Sequence, residues 1–423
     1  MKKIMKNILS LLNRKIFVFL LITAGAIQIG CKKESNPAPT IKAVRLLDST
    51  HRDSTFTQAL PGTAIILEGA GFSGLQHVYF NNMDAPFNAA LLSDNNILIR
   101  IPSNAPTQAT DPNVPSQIKV VTSHGQATYA FTLDAPPPVI TAMSNENALA
   151  GETVTLTGSN FYLVKQVIFP GNIAVTNFTA TPDGTQITVT VPSGITSGGP
   201  VQVAAKFGTG SSLFAFDNFK APFPGFLANF EWGDPYFGWA YWGGINTNDG
   251  TLFPQNTGDY IEVHPSATIN AGDGSWYADN RAVNVSPAAW TVNMSDPITS
   301  YALKFEMNVK TSWKNGSFMI TTSAQVNPPA DKNFTYLARF APWENSSTGD
   351  AKTNGWVTVS IPLTAFLLTN DGSYNAAGAT APNFNALMGG STSLIQIMLY
   401  NDSKTPMPII DAAFDNVRVE KIK

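Results

Sequence analysis

Charge is what this chain has least of. Asp, Glu, Lys and Arg make up 13% of its 423 residues, about half the share of roughly 25% usual in soluble proteins. With a net charge of -3 there is no basic footprint, which excludes nucleic acid as a partner. Cysteine is almost absent, and the single Cys31 excludes a disulfide framework. Beyond residues 16–29 no apolar run approaches membrane length, which excludes a spanning helix in the body of the chain. The four histidines are scattered: His51, His77 and His124 stand apart as surface loop residues, and no pair has metal-ligand spacing. Tryptophan is missing from the first 231 residues, and all eight lie between Trp232 and Trp356. What the chain does have is 43% hydrophobic residues, with polarity supplied by Asn, Thr, Ser and Gly. That balance suits an exported β-protein with a neutral ligand.

The N-terminus explains the lone cysteine. Lys2, Lys3, Lys6, Arg14 and Lys15 precede the apolar run from Ile16 to Ile29, which ends in Gly30-Cys31. A basic segment, a short apolar segment and a small residue at the cut read as a signal peptide over 1–30. Cys31 after Gly30 resembles the lipobox of bacterial lipoproteins, although Gln28 and Ile29 depart from its usual Leu and small residue. The resemblance implies that Cys31 is lipidated and that the membrane is met only through this anchor. Residues 31–39 form a polar, Pro-bearing spacer. Its Lys32-Lys33-Glu34 resembles the surface-export signals of Bacteroidetes lipoproteins, which implies the outer face of the outer membrane.

The middle of the chain repeats itself. Pro61-Gly62-Thr63-Ala64-Ile65-Ile66-Leu67-Glu68-Gly69-Ala70-Gly71-Phe72 aligns without a gap with Ala150-Gly151-Glu152-Thr153-Val154-Thr155-Leu156-Thr157-Gly158-Ser159-Asn160-Phe161. At the same offset Val78 meets Val167 and Phe80 meets Phe169, so two copies of one plan are present. Short alternating runs bounded by Gly or Pro predict sandwich strands in each. The pattern resembles the TIG/IPT family of immunoglobulin-like domains over 40–134 and 137–221, which usually act as spacers. Asp134-Ala135-Pro136-Pro137-Pro138 is expected to be a stiff link between them.

From about residue 224 the composition changes. Strands are predicted at Tyr260–Val263, Tyr301–Val309, 317–321, Trp356–Leu363, Leu394–Tyr400 and Phe414–Val419, with no competing helical period. The expected fold is all-β: two tandem Ig-like sandwiches, then a larger jelly-roll-like sandwich over 224–423. Ahead of those strands, Asn229 to Trp242 packs Trp232, Tyr236, Phe237, Trp239, Tyr241 and Trp242 among Gly233, Pro235 and Gly238. Those breakers suit a loop presenting flat surfaces, on which a sugar ring stacks through its C–H groups.

Asn229-Phe230-Glu231 at the opening, Gly355 to Leu363 in the middle and Phe414-Asp415-Asn416-Val417-Arg418-Val419 at the close resemble the jelly-roll carbohydrate-binding modules. With the lipoprotein signal and tandem TIG domains, the architecture resembles surface glycan-binding protein B of Bacteroidetes polysaccharide-utilisation systems. The resemblance implies a non-catalytic lipoprotein that captures a neutral plant polysaccharide, xyloglucan or another β-glucan, for a neighbouring outer-membrane transporter complex. It also implies an aromatic platform. The candidates are Trp239, Tyr241 and Trp242, then Trp276 and Tyr277, with Trp313 and Trp343 in further loop-like stretches. Asp279, Asn280 and Arg281 stand beside Trp276 to bond sugar hydroxyls. Trp232, Trp290 and Trp356 read as structural. No cofactor is required, but related jelly rolls hold a structural calcium, which would fall to Glu231 and Asp415. The alternative for that pair is a strand-end cap or surface ion pair.

Two other functions remain open. A jelly-roll glycoside hydrolase needs two carboxylates about 5–9.5 Å apart across the scissile bond. No local acidic motif supplies them: Glu306 is alone, Asp411 and Asp415 read as strand-edge residues, and His264 has no nucleophile partner nearby in sequence. A protein-binding adhesin would suit tandem Ig-like domains equally, but the charge-poor aromatic terminal domain favours a sugar.

Overall fold

The structure is a computed structural model that describes residues 37–47, 54–216, 225–231, 244–275, 277, 279–288, 290–322, 334–389 and 393–423. The expected signal peptide, Cys31 and the ring-rich 232–243 segment lie outside them. The chain forms two compact units, Met1–Ala135 and Pro136–Lys423.

Both repeats are β-sandwiches, and their shared glycine has a steric cause. In the first copy Thr40–Leu46 pairs with Ala64–Ala70, and in the second Val139–Met143 pairs with Thr153–Ser159. Each pair carries a register shift at the same place, between Ile41 and Ala43 and between Ile140 and Ala142. This irregularity drives a carbonyl onto the partner strand. A Cβ at Gly69 would lie 1.9 Å from the Thr40 carbonyl oxygen, and one at Gly158 would lie 1.9 Å from that of Val139. Close backbone approach, rather than an unusual φ, therefore demands glycine at these two positions. Phe72 and Phe161, the aromatic ends of the repeated motif, are both fully buried in their copy's core.

The terminal domain stacks two antiparallel sheets. One runs Ile245–Thr247, Tyr260–Val263, Ala412–Lys421, Tyr301–Val309, Val357–Pro362, with Phe226–Ala228 also against Ala412–Lys421. The other runs Ala282–Ala288, Ser393–Tyr400, Ser317–Thr321, Tyr336–Phe340, Leu367–Leu368. Leu303, Phe305 and Met307 from the first and Phe318, Ile320, Ile395, Ile397 and Leu399 from the second fill the space between them. The predicted strands are present within one or two residues of their expected ends.

Asn416 redirects the closing strand. It adopts a left-handed φ of 50°, and the ladder to Tyr301–Val309 slips there, pairing Glu306 with Asp415 but Lys304 with Arg418. The bulge changes strand parity: Phe414 and Val417 both point into the core, and Arg418 and Glu420 come to the outer face beside Lys304 and Glu306. There they meet the second Ig-like domain. Glu146 accepts from Lys304 Nζ at 2.6 Å and from Arg418 Nη2 at 2.6 Å. Arg418 Nη1 also donates to Glu306 at 2.8 Å. Glu146, Lys304, Glu306 and Arg418 are each 3% exposed or less. The Thr358 hydroxyl joins the group by accepting from the Glu146 amide and donating to Glu306, and the Thr358 amide donates to the Ser144 carbonyl. The second Ig-like domain and the terminal domain thus share a buried ionic junction.

Candidate functional site

The outer face of the five-stranded sheet is not a plain solvated face. Period-two alternation sends Met319, Leu337, Met398 and Tyr400 away from the main core, where they form a second apolar cluster with Ala282 and Phe334. Tyr277, Tyr374 and Tyr400 are half-buried against it. Over this floor opens a cleft of about 320 Å³, bounded by Gly272, Asp273 and Gly274 on one side and Gly372, Ser373 and Tyr374 on the other. Its size falls within the roughly 300–1,000 Å³ of small-ligand sites. Asn401 and Asp402, just beyond the strand carrying Tyr400, complete the lining.

Arginines fix the polar rim. Arg281 Nη1 donates to Asp273 at 2.9 Å, and its Nη2 lies 3.7 Å from Asp279. Burial works to raise the Asp273 carboxyl, but the bonds from Arg281 and Ser275 outweigh it and hold it below its ordinary value. Arg339 bonds Asp402 at 2.6 Å and Glu344 at 2.9 Å. The rim therefore offers carboxylates held in place by arginines. Asn401, fully buried, donates to the carbonyls of Ile269, Asn270 and Thr405 and pins the loop behind the cleft. Burial, and then the neighbouring Tyr277, raise the Tyr400 hydroxyl well above its ordinary value, so it stays a neutral donor.

The structure sorts the residues expected from sequence. Tyr277 joins the cluster under the cleft, and Arg281 backs its rim. Asp279 and Asn280 form the turn behind it, both with left-handed φ, where Asp279 accepts from the Ser266 amide at 3.0 Å. Trp239, Tyr241, Trp242 and Trp276 lie outside the described residues. Trp313 is a correction: it is 1% exposed and packs edge-on against Phe318 in the main core, its indole donating to the Asn315 carbonyl. Trp343 is half-buried: it packs on the edge of that core and its indole donates to the Gly316 carbonyl at 2.8 Å. Trp290 and Trp356 are buried, as expected of structural rings.

The calcium expectation also meets a different geometry. Glu231 accepts from the Asp259 amide at 3.0 Å. Both Asp415 oxygens are engaged, one by the Asn416 amide and the other by the Thr257 hydroxyl. Burial and then the Glu306 charge push the Asp415 carboxyl well above its ordinary value. These two acids act as caps for the 257–259 loop. Sequence reading missed Asp273, Tyr374, Tyr400 and Asp402. A signal existed for Tyr400: in Ser393–Tyr400 both faces are apolar, with Met398 and Tyr400 opposite Ile397 and Leu399.

Comparison with known proteins agrees with this architecture. Residues 219–421 match the family model of the surface glycan-binding protein B xyloglucan binding domain, and 138–217 match that of the IPT/TIG domain. A Bacteroides ovatus protein described as IPT/TIG domain-containing is 29% identical over 206 residues, 45% of this chain and 42% of that protein. The chain thus spans less than half the length of that relative. The crystal structure of the surface glycan-binding protein PbSGBP-B from Prevotella bryantii is similar with a TM-score of 0.64 at 22% identity, over 91% of this chain and 99% of the other. An SGBP-B from a complex xyloglucan utilization locus in Bacteroides uniformis is 20% identical over 91% of this chain and 100% of that one, with a TM-score of 0.45. The matched families are glycan-binding and Ig-like ones, not enzymes. The chain carries an IPT/TIG domain joined to a C-terminal domain that belongs to the surface glycan-binding protein B xyloglucan-binding-domain family.

Proposed function

We propose that the protein binds a neutral β-glucan, xyloglucan in the first place, in the cleft over Met319, Leu337 and Tyr400, and does no chemistry on it. One observation carries this reading: a cleft with an apolar, tyrosine-edged floor opens on the outer sheet face of the domain matched to the glycan-binding family. Sugar C–H faces stack on the rings, and hydroxyls bond the Arg-paired Asp273 and Asp402. Trp276, next to Tyr277 in sequence, and Trp239, Tyr241 and Trp242 remain candidate stacking rings in this proposal. The cleft acids do not suit hydrolysis. A general acid needs a raised pKa, whereas Asp273 is lowered and Asp402 is committed to Arg339. Lipidation at Cys31 would tether the protein to the cell surface, where it would hold glycan for an outer-membrane transporter.

Calorimetric titration with xyloglucan tests this, using the parent, Trp276→Ala and Tyr374→Ala. A stacked ring contributes ~1–3 kcal/mol by analogy with base stacking, so each variant should bind about 5- to 150-fold more weakly. Unchanged affinity in both would move the site away from this cleft. Absence of heat with xyloglucan, other β-glucans and mannans would favour the adhesin reading.

A further inference from the structure

Three metal-ligating side chains meet at one end of the six-stranded sheet, away from the cleft lining. Glu262 lies on the outer face of Tyr260–Val263, His264 follows that strand, and Asp411 precedes Ala412–Lys421. The ladder pairs Val263 with Ala412, so His264 and Asp411 are brought together across the strand ends. One donor atom from each residue lies within 4.8 Å of the others. Glu262 is 8% exposed and Asp411 9%, while His264 is half-buried. Two buried carboxylates side by side are unfavourable without a compensating cation.

The site has an unfilled centre. His264 Nδ1 and Asp411 Oδ1 are both shut off from water, and neither has a hydrogen-bond partner. They stand 3.6 Å apart, too far for a hydrogen bond. Two ligands of a tetrahedral ion with bonds near 2.1 Å are themselves separated by about 3.4 Å. The spacing that is wrong for a hydrogen bond is right for a shared ion. Lys310 Nζ approaches the other Asp411 oxygen, at 3.4 Å, and is 40% exposed; it leaves Oδ1 free.

We propose that Glu262, His264 and Asp411 form a site for a divalent transition ion of the zinc class. One imidazole and two carboxylates suit a borderline ion, whereas calcium prefers oxygen ligands alone. Three protein ligands leave a fourth position for water. The ion staples the ends of two neighbouring strands. It also steadies the turn behind the cleft, because the His264 amide donates to the Asn280 carbonyl at 3.2 Å. Sequence spacing does not reveal the site, since Asp411 comes from the far end of the domain.

Zinc titration into chelator-stripped protein, with cobalt(II) absorption as a second probe, tests it. The expected result is one ion per chain and a higher melting temperature. Glu262→Gln and His264→Ala should each lose more than about 100-fold in zinc affinity, beyond the roughly 10–100-fold typical of outer-shell changes, with far-UV circular dichroism unchanged. No stoichiometric uptake by the parent, equal uptake by both variants, or calcium bound in preference to zinc would each overturn the proposal. None of these readouts depends on glycan, so they stand or fall apart from the cleft.

Discussion

Asp415 shows how much one buried carboxyl controls. Burial and the nearby Glu306 raise its native value well above the ordinary 3.8. The native state therefore binds this proton more tightly than the unfolded chain does. Its contribution to stability is fully present below about 3.8 and is lost as pH rises through the elevated native value. Asp415→Asn keeps the shape without the titration. In urea unfolding the variant should match the parent near pH 4 and exceed it at pH 8; a difference independent of pH would contradict the assignment. Individual rings were the least legible part of the sequence. Trp313 is followed by Lys-Asn-Gly, which reads as a loop, yet the indole bonds Asn315 within that turn and buries the ring. Small polar neighbours report the backbone, not the direction of the side chain. Tyr374 and Tyr400 join the cleft only because two loops and a strand end converge, and such convergence has no sequence-local signature.

Strands, by contrast, were readable because alternation records which face is buried. Tyr301 to Val309 sends its odd residues to the core. Its even residues, Lys304 and Glu306 among them, look solvated in sequence but are buried by a neighbouring domain. The alternation gave the strand and hid the partner. The glycine shared by the repeats was legible as a repeat but not as a mechanism; the mechanism is the carbonyl pressed against it. Gly158→Ala places a methyl 1.9 Å from the Val139 oxygen, where only backbone can yield. The expected cost is at least the ~1–3 kcal/mol of overpacking, read as a lower unfolding midpoint. Ala at half-buried Gly349, with no atom within 4 Å of an added Cβ but a φ of 63°, would probe backbone strain alone.

At the scale of the molecule, the sequence divides into three sandwiches, with a stiff link expected between the first two. The structure instead makes Pro136–Lys423 one compact unit, held at its junction by Glu146, Lys304, Glu306 and Arg418. Charges reveal such a junction poorly, because four scattered ionic residues look like ordinary surface. Removing one partner of a buried pair strands the other and costs about 3–5 kcal/mol. Glu146→Ala should therefore split a single calorimetric transition of this unit into two, with the terminal domain's circular dichroism intact. One undivided transition in the variant would mean that the junction does not couple the domains.

The junction has a mechanical side. A long polymer caught at one point drags on its holder as it diffuses or is reeled away, and a loose joint would let the holder swivel. Lys304, Glu306 and Arg418 sit on adjacent central strands of the sheet opposite the cleft. On the proposed function, a pull on glycan held in the cleft would pass through the sandwich to the Ig-like domain as load on a rigid bracket, and the held strand would keep its aim relative to that domain.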